Sequence, residues 1–203
     1  LRPNFIAIEG NIGSGKTTLA KLLAKSLNSR LLLEEFDSNP FLEGFYKNPK
    51  RFAFSLEMSF MAERYQQLNN HLRQQDLFQP LVIADYMPAK SLLFAQNNLN
   101  QDEFKLYREF WQMSLGTLSP PDLTVYLEAP LDKLINNISE RGREYETNIK
   151  NDYLTGIGEK YEKYLKQLDS SNLLRLETKH LDCLRSIEDL NFVKGLILKK
   201  IKA

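Results

Sequence analysis

Eight residues constrain this chain more than any others. Residues 10–17 read Gly-Asn-Ile-Gly-Ser-Gly-Lys-Thr, a full match to GxxxxGK[ST]. They lie between the apolar run Phe5–Ile8 and a stretch of helical spacing over Lys16–Leu27. The pattern requires a strand, a tight loop and a helix in that order, and the flanking residues supply them. Glycines let loop amides converge on phosphate oxygens, and the helix directs its positive end at the same point. The expected phosphate-binding residues are therefore Gly10, Asn11, Ile12, Gly13, Ser14, Gly15, Lys16, Thr17 and Thr18. Lys16 would reach the β- and γ-phosphates of a nucleoside triphosphate, and the Thr17 hydroxyl would hold Mg²⁺. The bland alternative, a Gly-rich turn that binds nothing, leaves Lys16 and Thr17 unexplained.

Such a loop belongs in a parallel α/β sheet, and the rest of the chain predicts one. Short apolar runs at Phe5–Ile8, Leu31–Leu33, Leu81–Ala84, Leu123–Leu127 and Leu173–Leu176 read as buried strands. Between them, helical spacing runs over Lys16–Leu27, Pro49–Phe78, Ser91–Ala95, Gln101–Leu118, Leu131–Arg141 and Asp152–Leu168. A last amphipathic stretch starts at Leu184. Strands alternating with helices predict a five-stranded parallel sheet covered on both faces. No repeat or linker divides residues 1–203, so a single domain is expected.

Composition removes several classes of function. Lys+Arg 27 against Asp+Glu 26 leaves a net charge of +1, which draws neither nucleic acid nor a membrane surface. No apolar run approaches the roughly 18–20 residues of a membrane span. The lone cysteine, Cys183, fits a cytoplasmic protein. His71 and His180 lack metal-ligand spacing. The first residue is Leu1, which suggests a piece of something longer and leaves room for a fusion upstream. A GTPase would also need Asn-Lys-x-Asp and Asp-x-x-Gly, and neither is found.

A small phosphotransferase needs further parts, and candidates occur at the expected places. Glu34 and Glu35 end the second strand on the edge where a parallel sheet binds ligands, so a carboxylate there can take a proton from an attacking hydroxyl. A solvent-exposed strand end is the plainer reading of that pair. Asp85 closes the third strand at the same edge, where phosphate-loop enzymes put a magnesium-side carboxylate. Arg141-Gly142-Arg143 suits a basic lid over transferring oxygens.

Taken together, the pieces resemble the deoxynucleoside kinase family, most closely its bacterial deoxyguanosine/deoxyadenosine kinase branch. The resemblance rests on IEGNIGSGKT at 8–17, NPFLEGFY at 39–46, YKNPKRFAFSLEMSFMAER at 46–64, IADYMPAKSLLFA at 83–95, PDLTVYLEAP at 121–130 and ERGREYE at 140–146 followed by Asp152-Tyr153-Leu154. It implies a three-layer phosphate-loop kinase fold with a short lid at about 138–150. It also implies Mg²⁺-dependent transfer of the γ-phosphoryl of ATP to the 5′-hydroxyl of a deoxynucleoside by a homodimer. Glu34 falls where the family has the carboxylate that accepts the hydroxyl proton. Tyr46 and Glu146 fall where the sugar 3′-hydroxyl is held. Glu57 stands where most members carry a base-reading Gln, Arg64 lies one helical seam further on, near the base, and Phe94 matches an aromatic that stacks on the base. Arg141 and Arg143 match lid arginines. An ionised Glu57 can only accept hydrogen bonds, which favours guanine.

Three departures stand out. Asp85 is followed by Tyr86 where the family has Arg, which leaves Tyr86 or Lys90 as substitutes. The Asp85–Phe94 segment is one residue shorter than in many members, and Asn137 stands where another arginine is usual. The dimer is expected to join through helices including Pro49–Phe78 and the one around Trp111. Two other functions remain open at this level: a nucleoside monophosphate kinase of the thymidylate type, and a non-catalytic nucleotide-binding module.

Overall fold

The computed structural model describes residues 5–35, 39–73, 79–146, 149–181 and 186–202. In chain order the elements are β1 (Phe5–Gly10), α1 (Lys16–Leu27), β2 (Arg30–Leu32), α2 (Leu42–Lys47), α3 (Pro49–Arg73), β3 (Val82–Ala84), α4 (Lys90–Asn98) and α5 (Gln101–Met113). They continue with β4 (Leu123–Glu128), α6 (Leu131–Arg141), α7 (Asn151–Leu165), β5 (Leu173–Glu177) and α8 (Ile187–Lys202). The five strands form one parallel sheet in the order β2-β3-β1-β4-β5.

Every residue of β1 is buried, and successive side chains enter opposite cores. Phe5 and Ala7 face Leu32, Ala84 and Tyr126 beneath α3, α4, α5 and α7. Ile6 and Ile8 face Ile83, Val125 and Leu127 beneath α1 and α8. This two-sided burial is why the strand reads as an uninterrupted apolar run without alternation. Truncating a side chain as enclosed as Ile6 or Ile8 to Ala costs about 2–5 kcal/mol, so the strand that carries the phosphate loop is firmly anchored.

Element ends differ from the sequence reading in instructive ways. Helix α5 stops at Met113 and not Leu118, because the backbone turns away at Ser114, whose hydroxyl bonds the Phe110 carbonyl. Its start is fixed by a capping box between Asn100 and Glu103. Helix α4 is longer than expected at both ends. Helix α2 carries no sequence signal because six residues are too few for periodicity; Leu42 and Phe45 hold it against Ala53, Leu56 and Phe60 of α3. Helix α6 ends at Gly142, whose φ of +66° closes the helix before a 3-10 turn at Glu144–Glu146. The expected tail of α3 at 74–78, part of the lid at 147–148, Cys183 and Leu184 lie outside the described residues. Among the described residues no helix is long and apolar enough to cross a membrane.

Candidate active site

The phosphate loop is held by α6 and α7. A Cβ on Gly13 would lie 2.6 Å from the Leu134 carbonyl, and its φ of +81° is the left-handed region that glycine tolerates. The Asn11 amide donates to the Leu154 carbonyl of α7 at 2.7 Å, while its oxygen accepts from the Ile12 amide at 2.8 Å. Asn137 of α6 donates to the Gly13 carbonyl at 2.7 Å. Helix α1 starts at Gly15 with no side-chain cap and no acidic residue in its first turn, an arrangement that suits an anion. The Lys16 ammonium donates to the Asn11 carbonyl at 2.8 Å. Burial, then the neighbouring Lys90 charge, bring Lys16 down to about 8.

Beside the loop, the Thr17 hydroxyl donates to Asp85 Oδ2 at 2.5 Å, and Asp85 Oδ1 accepts from the Glu34 amide at 2.8 Å. Asp85 thereby ties the ends of β2 and β3 to α1. Thr17 and Asp85 offer adjacent hard oxygens, the donor chemistry that suits Mg²⁺.

The Glu34 carboxylate is held by two cations. Arg64 donates to Oε1 from Nε at 2.7 Å and approaches it with Nη2 at 2.6 Å, and Lys90 donates to Oε2 at 2.5 Å. Burial alone would raise Glu34, but the charges of Arg64 and Lys90 outweigh it and hold the carboxyl at about 2. Glu35, by contrast, is exposed. Arg64 also donates from Nη1 to Ser91 Oγ at 2.7 Å and covers the Phe60 ring.

From Glu34 a cavity runs between α2, α3, α4 and the turn after α6. Lys16, Thr17, Asp85, Arg141 and Arg143 line it, as do Tyr46, Glu57, Arg64, Phe94 and Glu146. Residues scattered over the chain thus share one enclosure. Glu57 is buried, with Oε1 accepting from Asn98 Nδ2 at 2.6 Å and Oε2 making no hydrogen bond. Burial pushes Glu57 up to about 7, against the pull of the Arg64 charge and the Asn98 hydrogen bond. At another wall Tyr46 stacks on Tyr145, and buried Glu146 pairs with Arg141 and Arg143.

Several positions differ from expectation. Arg64, expected near the base, is tied to Glu34 and Ser91. Arg141 and Arg143, expected over the phosphates, both contact Glu146. Tyr86 is fully buried, and its hydroxyl donates to Gln67 at 2.6 Å. Sequence reasoning missed Asn98, Tyr153 and Tyr145 of the cavity wall. It also missed Glu9, fully buried beside the loop, which accepts from the Met87 amide and the Tyr161 hydroxyl, each at 2.7 Å. Burial raises its carboxyl even though Lys90 and Lys16 pull it down.

A phosphate loop, a cation-held carboxylate and a half-apolar enclosure at the carboxyl edge of a parallel sheet define a phosphotransferase acting on a small acceptor. Comparison with known proteins gives the family. The profile described as "Deoxynucleoside kinase" matches residues 6–199, so the chain belongs to the deoxynucleoside kinase family of ATP-dependent phosphotransferases. It is 37% identical over 171 residues to a deoxyguanosine kinase of Bacillus subtilis (strain 168), covering 83% of this chain and 81% of the relative. It is 29% identical over 203 residues to a deoxyadenosine/deoxycytidine kinase of the same organism, covering 96% and 90%. The fold is that of a deoxyadenosine kinase from M. mycoides solved with dCMP and a flexible dCDP, with a TM-score of 0.82, 24% identity and 98% of both chains covered.

Proposed function

We infer that the enzyme transfers the γ-phosphoryl of ATP to the 5′-hydroxyl of a deoxynucleoside and favours deoxyguanosine. One observation carries this reading: the cavity has a cation-held carboxylate beside the phosphate loop and a buried carboxylate oxygen without a partner further in, Glu34 Oε2 and Glu57 Oε2. Glu34 takes the hydroxyl proton as the phosphoryl group arrives. Tyr46 and Glu146 bind the sugar 3′-hydroxyl, and Phe94 stacks on the base. An ionised Glu57 accepts the N1–H and 2-amino donors of guanine; adenine and cytosine would turn a ring-nitrogen lone pair toward it. The name of the 37% identical relative, deoxyguanosine kinase, supports the purine preference.

Mg²⁺ held by Thr17 and Asp85 would neutralise charge on the β- and γ-phosphate oxygens. Arg141 and Arg143 exchange their contact with Glu146 for the transferring oxygens when the lid closes. Transfer is direct and in line, without a covalent enzyme intermediate. The working form is a homodimer. Leu106, Phe110 and Met113, at 45%, 44% and 75% exposure, form one stripe on α5 that a second copy would cover. Trp111 does not belong to that stripe, since it turns inward and donates to the Pro88 carbonyl at 3.1 Å.

A coupled assay with ATP and Mg²⁺ tests the reading on the four deoxynucleosides and on the corresponding monophosphates. Turnover of deoxynucleosides with deoxyguanosine leading is the expected result. Turnover of monophosphates alone would move the enzyme to another acceptor class, and ADP release indifferent to any acceptor would remove the kinase reading.

A further inference from the structure

Lys90 breaks two local rules at once. It is the first residue of α4, where the peptide dipoles disfavour a cation, and it is only 4% exposed, where an ammonium is costly without a partner. Such conflicts between residue and place concentrate at functional sites. The partner is Glu34 Oε2, and the ammonium also lies 5.6 Å from the centre of the Phe94 ring.

The arrangement leaves one way to approach Glu34. A carboxylate has about four lone-pair sites. Arg64 covers Oε1, donating from Nε at 2.7 Å with Nη2 at 2.6 Å beside it, and Lys90 occupies one site at Oε2. A hydroxyl that gives its proton to Glu34 must therefore do so at Oε2, against the Lys90 ammonium. The side chain after Asp85 is Tyr86, whose hydroxyl donates to Gln67, and among the described residues the cations paired with Glu34 are Arg64 at Oε1 and Lys90 at Oε2. Lys90 is also close enough to Lys16 and Glu9 to shift the proton affinity of both, so its charge spans the acceptor cavity and the phosphate loop.

We propose that Lys90 is a catalytic residue that contacts the attacking oxygen and offsets the negative charge that oxygen gains during transfer. This rests on the reading of a nucleoside hydroxyl as acceptor. In the step, the hydroxyl O–H bond breaks and its proton passes to Glu34 Oε2. The oxygen forms a bond to the γ-phosphorus, the bond from that phosphorus to the bridging oxygen breaks, and the electron pair leaves with ADP. Lys90 keeps its protons throughout and acts by charge alone.

The test compares wild type with Lys90→Met and Lys90→Gln, each verified as folded by circular dichroism and thermal unfolding. Both variants should lose about 10²-fold or more in kcat while the KM values for deoxyguanosine and ATP move less than about threefold. A kcat within about threefold of wild type, or a loss confined to KM, overturns the proposal. If neither variant folds, the ¹⁵N signal of the Lys90 ammonium is followed in wild type with ADP and either deoxyguanosine or its 5′-deoxy analogue. A shift dependent on the 5′-hydroxyl supports the proposal, and equal shifts overturn it. Wild type without nucleoside-dependent ADP release instead overturns the acceptor reading itself, so the two failures are distinguishable.

Discussion

Replacing Glu57 by Gln keeps the side chain's shape and removes its ability to ionise. In the fold this carboxyl is pushed by burial up to about 7 from its ordinary 4.5, with only Asn98 bonded to one oxygen and nothing bonded to the other. A carboxyl whose folded pKa is raised contributes stability that is complete below the unfolded value and lost as pH rises through the folded value. The loss here spans the interval from 4.5 to about 7. It amounts to roughly 3 kcal/mol once Glu57 is fully ionised, at about 1.4 kcal/mol for each tenfold change in proton affinity. A Gln escapes this loss. Relative to wild type, Glu57→Gln should therefore gain about 2–3 kcal/mol of stability between about pH 5 and about pH 8. Urea unfolding of both proteins at the two pH values reads this directly, provided the m-values agree. The unpaired amide of Gln adds a fixed offset that cancels in the comparison. A stability difference that does not change with pH would refute the reasoning. The same variant should reduce the kcat/KM preference for deoxyguanosine over deoxyadenosine and deoxycytidine by roughly 5–150-fold, the worth of a bidentate base contact.

Glu34→Gln should lower kcat by about 10²–10⁴-fold with ATP binding little changed, and Glu35→Gln should stay near wild type; the opposite pattern would reassign the base. Arg143→Lys should depress kcat more than it raises the KM for nucleoside, because an ammonium cannot reproduce the forked guanidinium. A defect in KM alone would take Arg143 off the transferring phosphoryl group. Sedimentation at micromolar concentration should give a dimer, and Phe110→Glu on the exposed α5 stripe should shift it to monomer. A stable wild-type monomer would contradict that interface.

The parts of the site legible in the sequence are those carried by local order. The phosphate loop is contiguous, and Glu34 and Asp85 stand at strand ends whose position a parallel topology dictates. Their convergence follows once β3 lies between β1 and β2. What the sequence hides are contacts made across long intervals by residues with no motif. Asn98 sits in the last turn of α4, where an Asn pair reads as an ordinary helix end, yet it meets Glu57 across 41 positions. Tyr153 joins the same group from α7, 55 positions further along. Arg64 lies seven residues after Glu57 on one helix and reads as its neighbour, while in the fold its guanidinium turns to Glu34. The two candidates for the missing charge, Tyr86 and Lys90, are separable only in three dimensions, where Tyr86 bonds Gln67 and Lys90 bonds the carboxylate.

A crystal structure with deoxyguanosine and a non-hydrolysable ATP analogue tests the central claim most directly. The account predicts the 5′-oxygen within hydrogen-bond distance of Glu34 Oε2, in line with the γ-phosphorus over the phosphate loop, and the guanine edge on Glu57. A nucleoside seated with its base toward Glu34, or with its 5′-oxygen directed to Glu146, would contradict it.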